Sequence, residues 1–339
     1  ANTALPVTAA ATTGTVTLTA KHAGTIGNSI DVRLNYRPDE ATPPGLTAVV
    51  NAMASGAGVV DITAALSAIA SDWYTDIALG WTDATNMAVL ETELARRYNA
   101  MGRLDAHAYV AVAGTFGALS SYGAARNSQW VTALGMAGMP SEPWAVAACL
   151  AGVCAFQLAN DPARQLRGLA LPGIAAPAPA NRFIESERDL LLRDGISTVL
   201  VMDDGTVTLE RVITMYQKTG LGVDDTAWLD IMVPKTLSRI RYDWRTWVSL
   251  QYPRHKLADD GALGAEYSDT VVTPRILHSS WGARCTEYER LGWTEGTQAT
   301  LAQSSFVRDA TDRNRVNSRQ VVRIIGNLMV LAVALEFEV

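Results

Sequence analysis

DIALGW (76–81), AYVAVAG (108–114), WVTALGM (130–136) and TVLVMDD (198–204) decide the fold class. Each is a continuous apolar run of strand length, the pattern of a strand buried on both faces. Between the runs, residues 61–72, 85–101, 119–127 and 144–160 carry apolar side chains at helical spacing, several opened by Asp, Thr or Ser as caps. Strand alternating with helix predicts an α/β architecture: a parallel sheet wrapped by helices. The stretch 187–196 reads as a further helix stopped at Gly195, and 198–214 as a hairpin that turns at Asp204-Gly205.

Upstream, GTVTLTA (14–20) and SIDVRLNY (29–36) alternate apolar and polar residues and predict a β-hairpin with a long tip around Gly24, Gly27 and Asn28. ATPPGLTAVV (41–50) then marks a boundary. LPGIAAPAPANRF (171–183) reads as an irregular surface excursion. Downstream of Thr214 the composition shifts. Residues 228–247 and 281–292 predict amphipathic helices rich in Arg and aromatics, 259–264 a polar loop, 307–317 a polar arm and 319–326 a short helix. The chain closes on the apolar, β-rich LMVLAVALEFEV (328–339), a terminal strand that must pair with something. The expected layout is a β-hairpin region over 1–45, an α/β domain over 46–215, and a smaller α+β domain over 216–339 ending in an extended strand arm.

The 339 residues are hydrophobic at 48% and charged at 18%. An average soluble domain is charged at roughly 25%, so much of this surface is expected to be covered by protein contacts. A net charge of −6 disfavours binding to nucleic acid or to an anionic membrane. The sum hides an asymmetry, since 14 of the 28 Lys and Arg fall within residues 230–339. Cys149, Cys154 and Cys285 are too few for a disulfide framework and suit synthesis in a reducing cytoplasm. The apolar stretches 144–158 and 328–335 read as too short to span a bilayer, and no signal-peptide pattern opens the sequence.

Chemistry finds little purchase. His22, His107, His255 and His278 form no local ligand pair, and Cys149 and Cys154 sit five apart on a predicted helix, off a common face. No GxSxG, Walker or GxGxxG motif occurs in its strand–loop–helix context. Asp203-Asp204 and Asp224-Asp225 border Gly turns, where Asp bonds its own backbone. No catalytic, metal or cofactor residue is therefore expected. The stretch 235–256 interleaves six basic residues with Tyr242, Trp244, Trp247 and Tyr252, the composition of a protein interface.

KHAGTIGNSIDVRLNY (21–36), LANDPARQLRGLALPGI (158–174), RDLLLRDGISTVLVMDDGTVTLERVITMYQ (188–217), YPRHKLADDG (252–261) and VRDATDRNRVN (307–317) resemble the tail-sheath proteins of contractile phages, closest to the Mu-like branch. The resemblance runs in order from about Thr15 to the C-terminus. It implies an α/β domain with a subtilisin-like fold that is not a protease, and a second domain lying toward the tail tube. It further implies a homo-oligomer of stacked hexameric rings in the virion tail that contracts to drive the tube through the host envelope. Other sheath subunits, the tail tube protein, and baseplate and tail terminator proteins are the implied partners. Family sheaths are longer than this chain and open with an N-terminal segment that this sequence does not show.

Terminal arms of this family add strands to neighbouring subunits. Leu328, Val330, Leu331, Val333, Leu335 and Phe337 are the expected arm residues here, and Arg319, Arg323 and Arg315 the expected tube-facing basic residues. The competing readings are an α/β hydrolase of serine-peptidase type and a soluble binding module.

Overall fold

The computed structural model describes residues 5–36, 39–329 and 331–334. The chain divides into two compact units, one of residues 1–157 with 166–231, the other of residues 158–165 with 232–339.

The first unit opens with a two-stranded antiparallel ribbon, β1 (Val7–Thr12) and β2 (Thr15–Ala20), followed by α1 (Thr63–Ala68). Its body then alternates: β3 (Asp76–Ala78), α2 (Ala84–Tyr98), β4 (His107–Ala113), α3 (Phe116–Ala124), β5 (Val131–Met136), α4 (Pro143–Asn160), α5 (Glu185–Arg193), β6 (Ile196–Val201) and β7 (Val207–Arg211). The sheet order is β3-β4-β5-β6-β7, parallel throughout except for the antiparallel β6–β7 hairpin. Every residue of β5 is buried, as a strand covered on both faces requires.

Alternation along β4 and β5 sends Ala108, Val110, Val131 and Ala133 to one face, where Leu66 of α1, Met87, Leu90 and Leu94 of α2, Leu119 of α3 and Leu191 of α5 pack on them. Tyr109 points to the opposite face, beside Cys154 of α4, and its hydroxyl donates to Asp76 Oδ1 at 2.8 Å.

The helix ends follow from local chemistry. Asp83 caps α2 by accepting from Asn86 N at 3.0 Å. In the last turn of α2, the fully buried Arg97 donates to Glu93 Oε1 and to the carbonyls of Ile69 and Asp72, holding the chain that leaves α1. Gly123 is required where α3 meets α5, because a Cβ there would stand 2.0 Å from the Asp194 carbonyl oxygen. The Asp204-Gly205 turn forms as its sequence demands: Asp204 accepts from Thr206 N at 2.8 Å, and Gly205 has φ +84°. Residues 168–171 bond to the outer side of β7, with Leu209 N donating to Leu169 O and Leu171 N to Val207 O.

Four expectations need correction. β2 pairs with β1 rather than with 29–36, which forms no strand among the described residues. A Thr13-Gly14 connection, with Gly14 at φ +74°, closes a far shorter loop than the expected tip. The helix expected from 228 begins at Met232, because Pro234 is tolerated only in a first turn. No helix forms over 319–326. Arg319 ends a strand, and the β-branched run Val321, Val322, Ile324 and Ile325 forms no helix but an isolated bridge from Ile324 to Thr294. Finally, α4 spans 18 residues and by length and composition alone could cross a membrane. It buries Val146, Ala147, Leu150 and Cys154.

The second unit contains α6 (Met232–Gln251), β8 (Lys256–Leu257), α7 (Leu263–Tyr267), β9 (Val271–Val272), α8 (Pro274–Arg290), α9 (Thr297–Gln303), β10 (Ser305–Arg308) and β11 (Val316–Arg319). β8 and β9 pair in parallel, and β10 and β11 form an antiparallel ribbon. The core is aromatic. Trp281 and Tyr288 of α8 are buried with Ile240 of α6, and Trp244, Trp293, Phe306, Val322 and Ile324 pack around them. Trp244 stacks on Trp247 and meets Trp281 edge-on at 5.2 Å.

Candidate assembly surface

Several residues of the types most able to do chemistry are taken up by structure. His107 is buried, with Nε2 2.9 Å from Thr132 Oγ1, and His278 Nε2 lies 3.2 Å from the Leu301 carbonyl. Cys154 and Cys285 are buried, and burial pushes the Cys285 thiol up to about 12. Asp225 accepts from Tyr216 Oη and Ala227 N, which hold its carboxyl below the usual range. Among the described residues no group of three or more His, Cys, Asp or Glu could hold a metal ion. Beyond the carboxyl ends of β3 and β4, where an open α/β sheet offers ligands a crevice, lies a cavity of about 350 Å³. Its Asp83 is spent capping α2, and its Tyr122 lies under the Arg126 guanidinium, 3.8 Å from the ring centroid.

The arm and basic residues expected from the sequence lie in the second unit. Asp243 of α6 ties to α8 through one oxygen, Oδ2, which accepts from Arg284 Nη2 at 2.7 Å, Arg284 Nε at 3.1 Å and Tyr288 Oη at 2.6 Å. On this frame the segment after β11 is sewn down: Glu295 N donates to Arg323 O, Ile325 N donates to Trp293 O, and Thr294 bridges Ile324. Gln165 then donates to Met329 Sδ.

Apolar side chains described around and beyond this point are exposed. Leu328, Leu331 and Val333 are 78%, 76% and 73% exposed and belong to no strand within this chain. Val330, Leu335 and Phe337, the other expected arm residues, lie outside the described residues.

The polar stretch 307–317 is the β10–β11 ribbon with an ordered tip. Asp309 Oδ1 accepts from Thr311 N, Thr311 Oγ1 and Asp312 N, while Oδ2 accepts from Asn317 Nδ2. These bonds hold its carboxyl well below the ordinary range. The structure separates the three arginines expected to face a tube. Arg315 donates to Asn317 Oδ1 and lies 3.9 Å from Asp309; Arg323 pairs with Glu295 at 2.8 Å; Arg319 is exposed at the end of β11. Sequence reasoning missed α7, whose Leu263 and Tyr267 are 74% and 81% exposed. Five residues are too few for a periodicity signal, and the available hint was two large apolar side chains four apart in an acidic loop.

A family model described as the phage tail sheath protein central domain matches residues 55–215. The Mu-like prophage FluMu tail sheath protein of Haemophilus influenzae is 32% identical over 335 residues, covering 98% of this chain and 68% of that protein. The crystal structure of a sheath tail protein from Desulfitobacterium hafniense superposes with a TM-score of 0.53 at 15% identity, over 82% of this chain and 65% of that one. The helical sheath of the anti-feeding prophage in its contracted state gives a TM-score of 0.55 at 14% identity, over 81% of this chain and 73% of that one. At these identities the two structures share the fold.

Proposed function

The chain belongs to the phage tail sheath family, as a structural subunit of a contractile phage tail or related injection system, and from that premise we propose how it works. Copies polymerise as stacked six-membered rings around a tail tube, anchored by baseplate and terminator proteins, in a virion tail built in the host cytoplasm. The polymer is held extended in a kinetic trap and shortens when triggered. Its free energy comes from the difference between two subunit packings, so no catalytic group is needed. The 46–215 region acts as a subtilisin-like body without its chemistry, and 216–339 as the connecting domain nearer the tube.

The observation that carries this reading, beyond family membership, is the exposed apolar terminus. Leu328, Leu331 and Val333 follow a segment tied down as far as Ile325. Exposed apolar chain of this kind is an aggregation hazard unless another chain receives it, and adding it as a strand to a neighbour's sheet both removes the hazard and links the rings. Deleting residues 328–339 is expected to leave circular dichroism and the thermal midpoint nearly unchanged and to abolish cylinders in negative-stain images. Cylinders formed by the truncated chain would refute the arm.

A further inference from the structure

Two segments of the second unit carry opposite charge. Residues 257–274 hold Asp259, Asp260, Glu266 and Asp269 and no Lys or Arg; residues 313–323 hold Arg313, Arg315, Arg319 and Arg323 and no Asp or Glu. Their roots are joined, with Arg308 Nη1 2.9 Å from Asp259 Oδ2. Asp260 accepts from Arg275 N, Arg315 lies beside Asp309, and Arg323 is paired with Glu295. The internal matching stops there. Glu266 and Asp269 on one segment, and Arg313 and Arg319 on the other, are exposed and have no side-chain partner among the described residues.

Each segment also shows apolar surface where its charge is unmatched. Leu263 and Tyr267 stand out from α7 between the acids, and Val307 is 60% exposed on the ribbon. An aromatic and an aliphatic anchor inside a charged rim is the composition of an interface centre.

We propose that α7 and its acidic flanks dock on the β10–β11 ribbon of a second copy of this chain, Leu263 and Tyr267 against Val307, with Glu266 and Asp269 facing Arg313 and Arg319. This rests on the sheath reading and names one contact of that lattice. A second copy is the favoured occupant because both halves of the charge match reside on one chain. In the sheath lattice the two patches engage different neighbours, so the contact is head-to-tail and repeats from copy to copy; a closed two-fold dimer in sedimentation would count against it. So few anchors make a contact at the low end of specific interfaces, below about 1,200 Å². Each contact is then weak and sensitive to salt, and strength comes from repetition.

The test uses the full chain, with sedimentation velocity and negative-stain imaging at several salt concentrations. Glu266→Lys/Asp269→Lys and Arg313→Glu/Arg319→Glu are each expected to weaken self-association by about tenfold or more. Mixing the two variants, or combining all four changes in one chain, restores it. Three results would overturn the proposal: either variant assembling with unchanged salt dependence, a folded fourfold variant that stays unassociated, or the arginine variant building normal cylinders yet failing to coat preformed tail tubes. The last would give the ribbon to the tube. Wild-type chain that never associates would instead remove the sheath reading, and this contact with it.

Discussion

Replacing Asp243 by Ala should loosen the tie between α6 and α8, and the cost can be worked from three bonds. Asp243 Oδ2 is the acceptor for the Tyr288 hydroxyl at 2.6 Å and for Arg284 at 2.7 and 3.1 Å. Tyr288 is fully buried, so its hydroxyl would be left without an acceptor, a penalty of about 1–3 kcal/mol. The Arg284 side chain is 23% exposed and can turn to water, which limits its share to about 0–1 kcal/mol. The total is about 1–4 kcal/mol. Urea unfolding, followed by the emission of the nine tryptophans, of which Trp244, Trp247, Trp281 and Trp293 lie in the second unit, together with near-ultraviolet circular dichroism, measures it; an unchanged m-value licenses the comparison. Asp243→Ala/Tyr288→Phe removes the stranded hydroxyl and should recover about 1–2 kcal/mol of the loss. A loss under about 0.5 kcal/mol for Asp243→Ala, or no recovery in the double variant, would refute the assignment of Asp243 as the clamp between α6 and α8.

Gly123→Ala should cost about 1–3 kcal/mol, because the new methyl meets the fixed Asp194 carbonyl. Gly117→Ala on the same helix has nothing within 4 Å and should be neutral or stabilising by up to about 1 kcal/mol, so equal effects at the two sites would contradict the packing argument. Alkaline pH supplies another test. The Cys285 thiol titrates at about 12 when folded, against roughly 8.5 in an unfolded chain. A raised folded value gives stability that is complete below the unfolded value and is lost as pH climbs toward the folded one. The thermal midpoint should therefore fall between about pH 9 and 12, less steeply in Cys285→Ala, and identical profiles would count against burial as the cause.

What was legible in the sequence was local or strongly patterned. The runs at 108–114 and 130–136 read as strands covered on both sides, and β4 and β5 are those strands. Asp204-Gly205 announced the β6–β7 turn by its own backbone chemistry. Failures came where partners compete. The expected mate of β2 was 29–36, whereas the observed mate is β1, reached by a shorter loop, and alternation does not encode loop length. Arg319 and Arg323 are four apart, as on one helix face, yet the β-branched residues around them favoured an extended path tied to Trp293 and Glu295. The contact surface was half legible. The apolar tail stood out from its composition, whereas α7 is shorter than any window able to detect it, and the pairing of Arg308 with Asp259 joins residues far apart in the chain.

The outer rim of β7 is already occupied by residues 168–171 of the same chain. A sheet finished in this way offers no ladder on that side for a stranger's backbone to extend. Another chain lying alongside this rim therefore finds no free backbone ladder to join, and the main sheet ends where its own chain closes it.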